Sequence, residues 1–250
     1  MHSAPDWDRV LEGFPPDAGG VLRPYSDAVN RSLLRRWLPE RGRSLLKTDL
    51  FDEAVAEGLY PLLRTRATEV VGIDVSESVL GAARARYPEL QAERADVRSL
   101  PFADGAFDVV VSISTLDHFG SIDELESAVG ELHRVLQEGG TLIVTLDNLL
   151  NPLVALRNAL PQSPLRRIGL VPYALGVTCG PRRLRRILSA KGFAVEEVDA
   201  LMHVPRIVVR ILAPLLRGRT RSGLLAAERL GRLPTRMVTG QFVAARAVKR

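Results

Sequence analysis

The chain has 250 residues, of which 46% are hydrophobic, and a formal net charge of +5. This length suits one large α/β domain with room for insertions. The first ten residues contain Asp6 and Asp8 and no apolar run, which argues against a secretory signal. The apolar stretch from Val204 to Leu216 is too short and too charged to cross a bilayer, so we expect a cytoplasmic protein.

The distribution of charge and the cysteine content narrow the class of protein further. Residues 1–150 carry 15 Lys and Arg against 25 Asp and Glu, whereas residues 151–250 carry 19 against 4. Almost all of the cations are arginines, which suit phosphate or carboxylate recognition, although a GC-rich genome would supply them equally well. The single cysteine, Cys179, has no partners at metal-ligand spacing, so we expect no metal site.

Taken in chain order, the predicted elements are those of a doubly wound sheet. Residues 1–43 have no strand pattern and contain a predicted helix from Tyr25 to Leu38, so we expect a helical cap over the sheet edge. From Ser44 onward, strand-like apolar runs alternate with amphipathic helical segments, which is the pattern of a parallel sheet covered on both faces. The seven predicted strands are Ser44 to Thr48, Glu69 to Asp74, Leu90 to Ala95, Ala106 to Ser112, Gly140 to Asp147, Phe193 to Asp199 and Gln241 to Ala247.

Helix signals lie between these strands. Ser76 is placed to cap the helix that follows the second strand. Ser121 and Glu124 have the spacing of a capping box before the helix that precedes the fifth strand. Pro181 suits the first turn of the helix before the sixth strand.

Two acids follow predicted strands at the end where an open parallel sheet binds its ligands. Asp74 ends the second strand, and an acid there can accept hydrogen bonds from both hydroxyls of a ribose. The alternative is an ordinary acid at a helix N-terminus, where the macrodipole favours it. Asp96 follows the third strand in the same way.

Three motifs with the order and spacing of one family follow Asp74, and the first of them contains Asp96. They are ADVRSLPF from Ala95 to Phe102, FDVV from Phe107 to Val110, and LHRVLQEGG from Leu132 to Gly140. The sequence resembles the class I S-adenosylmethionine-dependent methyltransferases, closest to the branch with quinone-biosynthesis and small-molecule enzymes. The resemblance covers Ser44 to Asp147 and resumes from Pro181 to Val198.

The resemblance implies a Rossmann-like, seven-stranded, mostly parallel α/β sheet over residues 44–250, with helical insertions after strands five and six. It implies S-adenosylmethionine as the cofactor. In the family, the acid matching Asp74 holds the ribose, the acid matching Asp96 binds the adenine amino group, and the backbone amide matching Val97 meets the ring. Ser112 matches a position whose backbone approaches the methionine part. The predicted cofactor-binding residues are Thr48, Asp49, Asp74, Val75, Asp96, Val97 and Ser112.

One segment departs from the family. A glycine-rich loop normally follows the first strand, whereas residues 45–54 contain no glycine and place Asp49, Phe51 and Glu53 there. Side chains at these positions crowd the space for methionine. Three explanations compete: Asp49 or Asp52 pairs with the ammonium or sulfonium charge of the cofactor, the protein binds another ligand, or the fold is degenerate and catalyses nothing.

Methyl transfer depends chiefly on how the methyl acceptor is positioned against the cofactor, and a base is needed only where the acceptor loses a proton. We call the part of the sheet edge that would face this acceptor the acceptor side. Asp117 and His118 follow the fourth predicted strand. Asp147 ends the fifth, and Asn148 follows it. His118 is the candidate catalytic residue because an imidazole can deprotonate a hydroxyl. It could equally be a structural residue that packs against Phe119.

The insertions at residues 148–177 and 201–240 leave from the same edge, so we predict that they form a basic lid. In the second, Arg206, Arg210, Arg217 and Arg221 lie near helical spacing. Such a basic amphipathic helix could contact an anionic membrane, on the inner face, or guide an amphiphilic substrate. The alternative is a helix packed on the sheet with solvated arginines.

The sequence therefore favours methyl transfer to an organic small-molecule or lipid-like acceptor, plausibly an anionic one. The first alternative is a non-catalytic binding protein on the same scaffold. The second is an RNA-directed methyltransferase. The basic insertions are poor in aromatic residues that could stack on bases, so nucleic acid is not the favoured partner.

Overall fold

A computed structural model describes the protein over residues 6–13, 22–161, 175–205, 208–209 and 220–250. Within these ranges, seven strands form one sheet in the order β3-β2-β1-β4-β5-β7-β6. The strands are β1 Gly42–Lys47, β2 Ala67–Asp74, β3 Gln91–Arg94, β4 Phe107–Ile113, β5 Leu136–Asp147, β6 Phe193–Leu201 and β7 Phe242–Lys249. β7 is antiparallel to β5 and β6, and the other paired neighbours are parallel. The predicted Rossmann-like sheet is confirmed.

Helices cover both faces of the sheet. They are α1 Trp7–Glu12, α2 Leu22–Trp37, α3 Phe51–Val55, α4 Tyr60–Leu63, α5 Glu77–Arg86, α6 Ile122–Val135, α7 Pro152–Ala159, α8 Pro181–Ala190, α9 Thr220–Ala227 and α10 Arg236–Thr239. Short 3-10 helices span Leu116–His118 and Glu228–Arg232. The predicted caps are confirmed: Ser76 accepts from the amide of Val79, and Ser121 and Glu124 form a reciprocal capping box.

The strands place alternate residues in two separate cores because successive side chains point to opposite faces. Leu45 is buried in the core that α2 and α5 cover, and its neighbour Leu46 is buried in the core that α6 and α8 cover. The same alternation separates Val109 from Val110. A strand buried on both faces therefore shows the continuous apolar run that its sequence displays.

Most observed strand ends lie within two residues of the predicted ones, and three larger differences concern β5, α2 and α1. The strand predicted from Gly140 begins at Leu136, because Leu136 already pairs with Phe107 before the register shifts. The helix predicted from Tyr25 begins at Leu22. Helix α1 was not predicted, although Asp6 caps it by accepting from the amide of Arg9.

The first insertion returns to the carboxyl edge of the sheet through residues 175–178. The amide of Val177 donates to the carbonyl of Phe119 at 2.7 Å, and the Thr178 hydroxyl donates to the carbonyl of Asp147. A Cβ on Gly176 would lie 2.4 Å from the carbonyl oxygen of Asp117, so only glycine permits this crossing. We call residues 175–178 the strap.

The second insertion is described in part. The predicted basic helix through Arg206, Arg210 and Arg217 falls outside the described residues, and Arg221 lies in α9. The end of the insertion, α10, lies beside the end of β5, because the Asn148 side-chain amide donates to the carbonyls of Met237 and Gly240. Among the residues that the structure describes, no helix combines the length and apolarity needed to span a membrane.

Candidate functional site

The order of the strands reverses between β1 and β4, and the carboxyl ends of β1, β2 and β4 meet there. An open sheet of this kind binds ligands at such a point. Thr48 follows β1, Asp74 ends β2, and Ser112 lies near the end of β4. The fold therefore brings these three predicted residues to one edge.

Asp74 is held by the backbone of its own chain. Its Oδ2 accepts from the amide of Leu50 at 3.0 Å, and its Oδ1 accepts from the amide of Ser76 at 2.9 Å. Burial raises the pKa of this carboxyl to about 6, although both amides favour the ionised form. Each carboxylate oxygen can accept a second hydrogen bond, so the residue keeps the capacity to hold a diol.

The loop after β1 is ordered by a buried ion pair in place of glycines. Lys47 Nζ lies 2.9 Å from Glu53 Oε2 and also donates to the carbonyl of Asp49. Glu53 Oε1 accepts from the amides of Leu59 and Tyr60 at 2.8 and 3.0 Å. Burial opposes the charge on Lys47, but Asp49 and Glu53 outweigh it and raise the pKa of the ammonium.

This arrangement bears on the hypothesis that Asp49 or Asp52 pairs with a positive charge of the cofactor, which stays a prediction. Glu53 pairs with Lys47, and Asp52 pairs with Arg23 of α2, so the chain itself supplies the positive charge. Asp52 is therefore engaged away from the strand end. Asp49 Oδ1 also lies 3.6 Å from Lys47 Nζ, and its Oδ2 accepts from the Thr115 hydroxyl at 3.1 Å. With a side chain that is 22% exposed, Asp49 is the most accessible of the three acids.

Hydroxyl groups fill the edge between β1 and β4. Thr48 Oγ1 lies 3.0 Å from Ser112 Oγ and 2.8 Å from Thr115 Oγ1. Ser112 was predicted to end the fourth strand, but β4 continues to Ile113, and Ser112 is fully buried inside it. The residue that follows the strand is Ser114, whose φ of 55° lies in the left-handed region.

The third predicted element of the site lies beyond β3. Asp96 is bound by Arg98, with 2.5 Å between Arg98 Nη2 and Asp96 Oδ2, and its side chain is 35% exposed. Partial burial opposes ionisation, but the hydrogen bonds from Arg98 outweigh it and lower the pKa of Asp96. Val97 is buried, whereas Val75 is 43% exposed and offers an apolar surface beside Asp74.

On the acceptor side, an aromatic contact covers the edge. The ring of His118 meets the ring of Trp7 edge to face, with 4.8 Å between centroids, and Trp7 lies 5.8 Å from Phe51. Helix α1 is thereby held over the switch point. Asp8 of the same helix accepts from the Ser76 hydroxyl at 2.6 Å. Trp7 was not among the residues predicted from the sequence, although the cap at Asp6 could have indicated the helix.

The remaining acceptor-side residues differ in availability. Asp117 is buried, and its Oδ2 accepts from the amide of Asp147 at 3.0 Å, while its Oδ1 has no hydrogen-bond partner among the described residues. Burial, and then the proximity of Asp147, raise the pKa of Asp117. Asp147 pairs with Arg157 of α7. Asn148 is fully buried, and its amide group ties β5 to the second insertion, so its role is structural.

The chemistry of this edge fits S-adenosylmethionine. The cofactor presents hydroxyl and amino hydrogens, an ammonium and a sulfonium, and the edge presents the carboxylates of Asp49, Asp74 and Asp96 with the hydroxyls of Thr48 and Thr115. Hydrogen-bond acceptors and negative charge on the protein thus match hydrogen-bond donors and positive charge on the cofactor. In the part of the chain that is described, no cluster of His, Cys, Asp and Glu could hold a metal ion.

Comparison with known proteins identifies the family. A family model described as a methyltransferase domain matches residues 54–144. A demethylmenaquinone methyltransferase of Thermus thermophilus is 41% identical over 180 residues, which cover 59% of this chain and 74% of that protein. A Mycolicibacterium smegmatis protein that bears the name of an S-adenosylmethionine-dependent methyltransferase is 28% identical over 156 residues, 62% of this chain and 55% of its own.

The solved structures agree on the fold. The geranyl diphosphate C-methyltransferase of Streptomyces coelicolor superposes with a TM-score of 0.62 at 16% identity, covering 89% of this chain and 77% of that one. The chain spans about half the length of the mycobacterial relatives that it matches, 55% and 53%. The sheet, the acids at its carboxyl edge and these relatives together place the chain in the family of S-adenosylmethionine-dependent methyltransferases.

Proposed function

We propose that the protein transfers a methyl group from S-adenosylmethionine to an organic small-molecule or lipid-like acceptor of anionic character. The observation that carries the proposal is the set of hydrogen-bond acceptors at the edge between β1, β2 and β4, in a chain that belongs to this family. Cations and donors of the cofactor match this set.

The cofactor would lie along the predicted residues. Asp74 would accept from the ribose hydroxyls with its remaining lone pairs, Asp96 from the adenine amino group, and the backbone of Val97 would meet the ring. Asp49 would face the ammonium of the methionine part. Thr48, Val75 and Ser112 would line the same edge.

Bound S-adenosylmethionine supplies an electrophilic methyl group on a sulfonium, so the protein contributes orientation and exclusion of water. Trp7 and the strap both cover the edge and would limit access of water to it. Where the acceptor is a hydroxyl, a ring nitrogen of His118 would take its proton, and Asp117 beside it would act as a positioning residue.

The names of the relatives support the class of acceptor. One is named as a demethylmenaquinone methyltransferase and another as a geranyl diphosphate C-methyltransferase, and each name denotes an acceptor with an isoprenoid part. The insertions that follow β5 and β6 leave from the acceptor side and would form the basic lid. Arginines of such a lid suit an anionic head group. Membrane contact through residues 201–221 belongs to the same proposal.

Calorimetric titration with S-adenosylmethionine and S-adenosylhomocysteine tests the cofactor assignment. We expect micromolar binding, weakened at least about tenfold by Asp74→Ala, as for loss of a buried charged hydrogen-bonding group. Asp123→Asn, which alters an exposed acid of α6, is the control and should bind as the wild type does. Unchanged affinity in Asp74→Ala would remove Asp74 from the site.

A non-catalytic binding protein is the second candidate function, because one observation favours it. The Leu50 side chain packs against Gly72, where a Cβ would lie 2.5 Å from Leu50 Cδ2, so the loop after β1 lies close on β2. Transfer of labelled methyl to a short-chain demethylmenaquinone separates the candidates. Cofactor binding without turnover, over a panel of isoprenoid phenols and diphosphates, would favour the second.

A further inference from the structure

The segment that leaves β5 carries an unusual surface. Every exposed residue from Leu149 to Pro161 is apolar, and the partly exposed Arg157 is paired with Asp147. The exposed set is Leu149, Leu150, Pro152, Leu153, Leu156, Ala159, Leu160 and Pro161. Its five leucines are each 38% to 57% exposed. We call this set the leucine ridge.

Helical geometry places the ridge on one face of α7. At about 100° per residue, Pro152, Leu153, Leu156, Ala159 and Leu160 fall within an arc of about 120°. Val154 is 4% exposed and lies on the opposite face, where it packs inward. The exposed leucines of α7 and of its C-terminal cap, Leu153, Leu156 and Leu160, thus form one stripe, and Leu149 and Leu150 precede the helix.

The orientation of the stripe is fixed by hydrogen bonds. Asn151 caps α7 by accepting from the amides of Leu153 and Val154 at 3.0 and 3.2 Å. Its own side-chain amide donates to the carbonyl of Thr239 at 2.8 Å, which ties α7 to α10. A helix anchored in this way presents the leucines to the outside.

Basic residues flank the ridge. A Cβ on Gly180 would lie 3.8 Å from the amide of Leu150, so the first turn of α8 begins beside the ridge. Arg182 and Arg183 in that turn are exposed, and Arg186 is exposed one turn later. Cations at a helix N-terminus oppose the macrodipole, so these arginines do not serve the stability of α8.

We propose that the leucine ridge and the arginines of α8 form a docking surface for an anionic lipid bilayer. Leucines that enter the acyl boundary beside arginines that meet phosphate are the arrangement of an interfacial helix. The ridge contains no acidic residue and is flanked by exposed arginines, so an anionic lipid surface complements its charge.

The surface lies next to the candidate site. β5 ends at Asp147, two residues before the ridge begins, and Asp147 itself lies beside Asp117. Docking there would hold the acceptor side of the sheet against the membrane. The inference rests on the exposed surface alone and would stand if the chain only bound its cofactor.

Flotation with vesicles of phosphatidylcholine, alone and with phosphatidylglycerol, tests the proposal. We expect wild-type protein to float with the anionic vesicles and Leu153→Ser/Leu156→Ser to lose at least about tenfold in bound fraction, since two leucines that would enter the bilayer are removed. Ala85→Ser/Ala103→Ser, which changes two exposed apolar residues outside both insertions, is the control and should float as the wild type does.

The arginines are tested in the same assay. Arg182→Gln/Arg183→Gln should lower binding about tenfold and reduce its dependence on salt. Arg41→Gln/Arg43→Gln removes two exposed arginines at the opposite edge of the sheet and should leave binding unchanged. Each variant is also titrated with S-adenosylhomocysteine, so loss of the cofactor site is measured separately from loss of docking.

Three outcomes would overturn the proposal. The first is a wild type that binds neither kind of vesicle, and the second is a leucine variant that binds as well as the wild type. The third is a wild-type dimer in size-exclusion chromatography that the leucine variant converts to a monomer, which would assign the ridge to a contact between copies of the chain.

Discussion

Lys47 Nζ lies 2.9 Å from Glu53 Oε2, and the two side chains are 2% and 0% exposed. The pair stands where family members have an acid and glycines, and it orders the loop whose Asp49 faces the candidate site. A buried ion is stable only with its partner, because desolvation is otherwise uncompensated. The loop therefore depends on charge pairing for its shape.

Removal of one partner tests this dependence. Lys47→Met should lower the free energy of unfolding by about 3 kcal/mol, measured by urea denaturation, because Glu53 is left buried and charged. Arg64→Met breaks the exposed ion pair with Glu89, whose side chain is 46% exposed, and should cost less than about 1 kcal/mol. Equal losses of unfolding free energy in the two variants would show that the buried pair stabilises the protein no more than an exposed one does.

The raised pKa of Asp74 predicts that the stability of the protein depends on pH. Its pKa is raised from 3.8 to about 6 in the folded protein, so the folded state binds more protons than the unfolded state between these values. The contribution of this group to the free energy of unfolding is therefore fully present below pH 3.8 and is lost as the pH rises through about 6.

We expect the wild type to lose on the order of 2 kcal/mol more than Asp74→Asn between pH 4 and pH 7. Asp123→Asn should follow the wild-type profile. The measurement is urea denaturation at a series of pH values. Parallel profiles for wild type and Asp74→Asn would contradict the assignment of the raised pKa.

The contact between Trp7 and His118 predicts an optical signal from the candidate site. The chain has two tryptophans, and Trp37 is buried with its Nε1 donating to Glu197 at 3.0 Å. Titration with S-adenosylhomocysteine should change the fluorescence of Trp37→Phe, which retains Trp7, and leave that of Trp7→Phe constant. A response that persists in Trp7→Phe would mean that α1 does not lie over the bound cofactor.

The close backbone crossing at Gly176 predicts that a larger side chain in the strap destabilises the protein. Gly176→Ala would place a Cβ within 2.5 Å of three backbone atoms of residues 117–119, so it should destabilise the protein by about 1–3 kcal/mol. Gly130→Ala is the matched control, since no atom lies within 4 Å of its added Cβ in α6. It should stabilise by about 0.5–1 kcal/mol. Thermal unfolding of both variants measures the difference, and a neutral Gly176→Ala would refute the close crossing.

Several features followed from the sequence because their causes are local. The seven strands, the cap at Ser76 and the capping box of Ser121 with Glu124 depend on periodicity and on hydrogen bonds within a few residues. Asp74 and Asp96 could be placed at the sheet edge because strand ends are visible in the pattern. The family motifs then indicated what such acids hold.

The tertiary structure alone decided how the edge is assembled. Lys47 pairs with Glu53, Asp52 with Arg23, and Trp7 with His118, and none of these contacts has a signal in the spacing of residues. The second and third join elements that are distant along the chain, the first joins two successive elements, and burial determines which charges must find a partner. The exposure of the leucine ridge was decided in the same way. The sequence shows which residues of α7 are apolar, but only the anchoring of the helix through Asn151 shows which of them face outward.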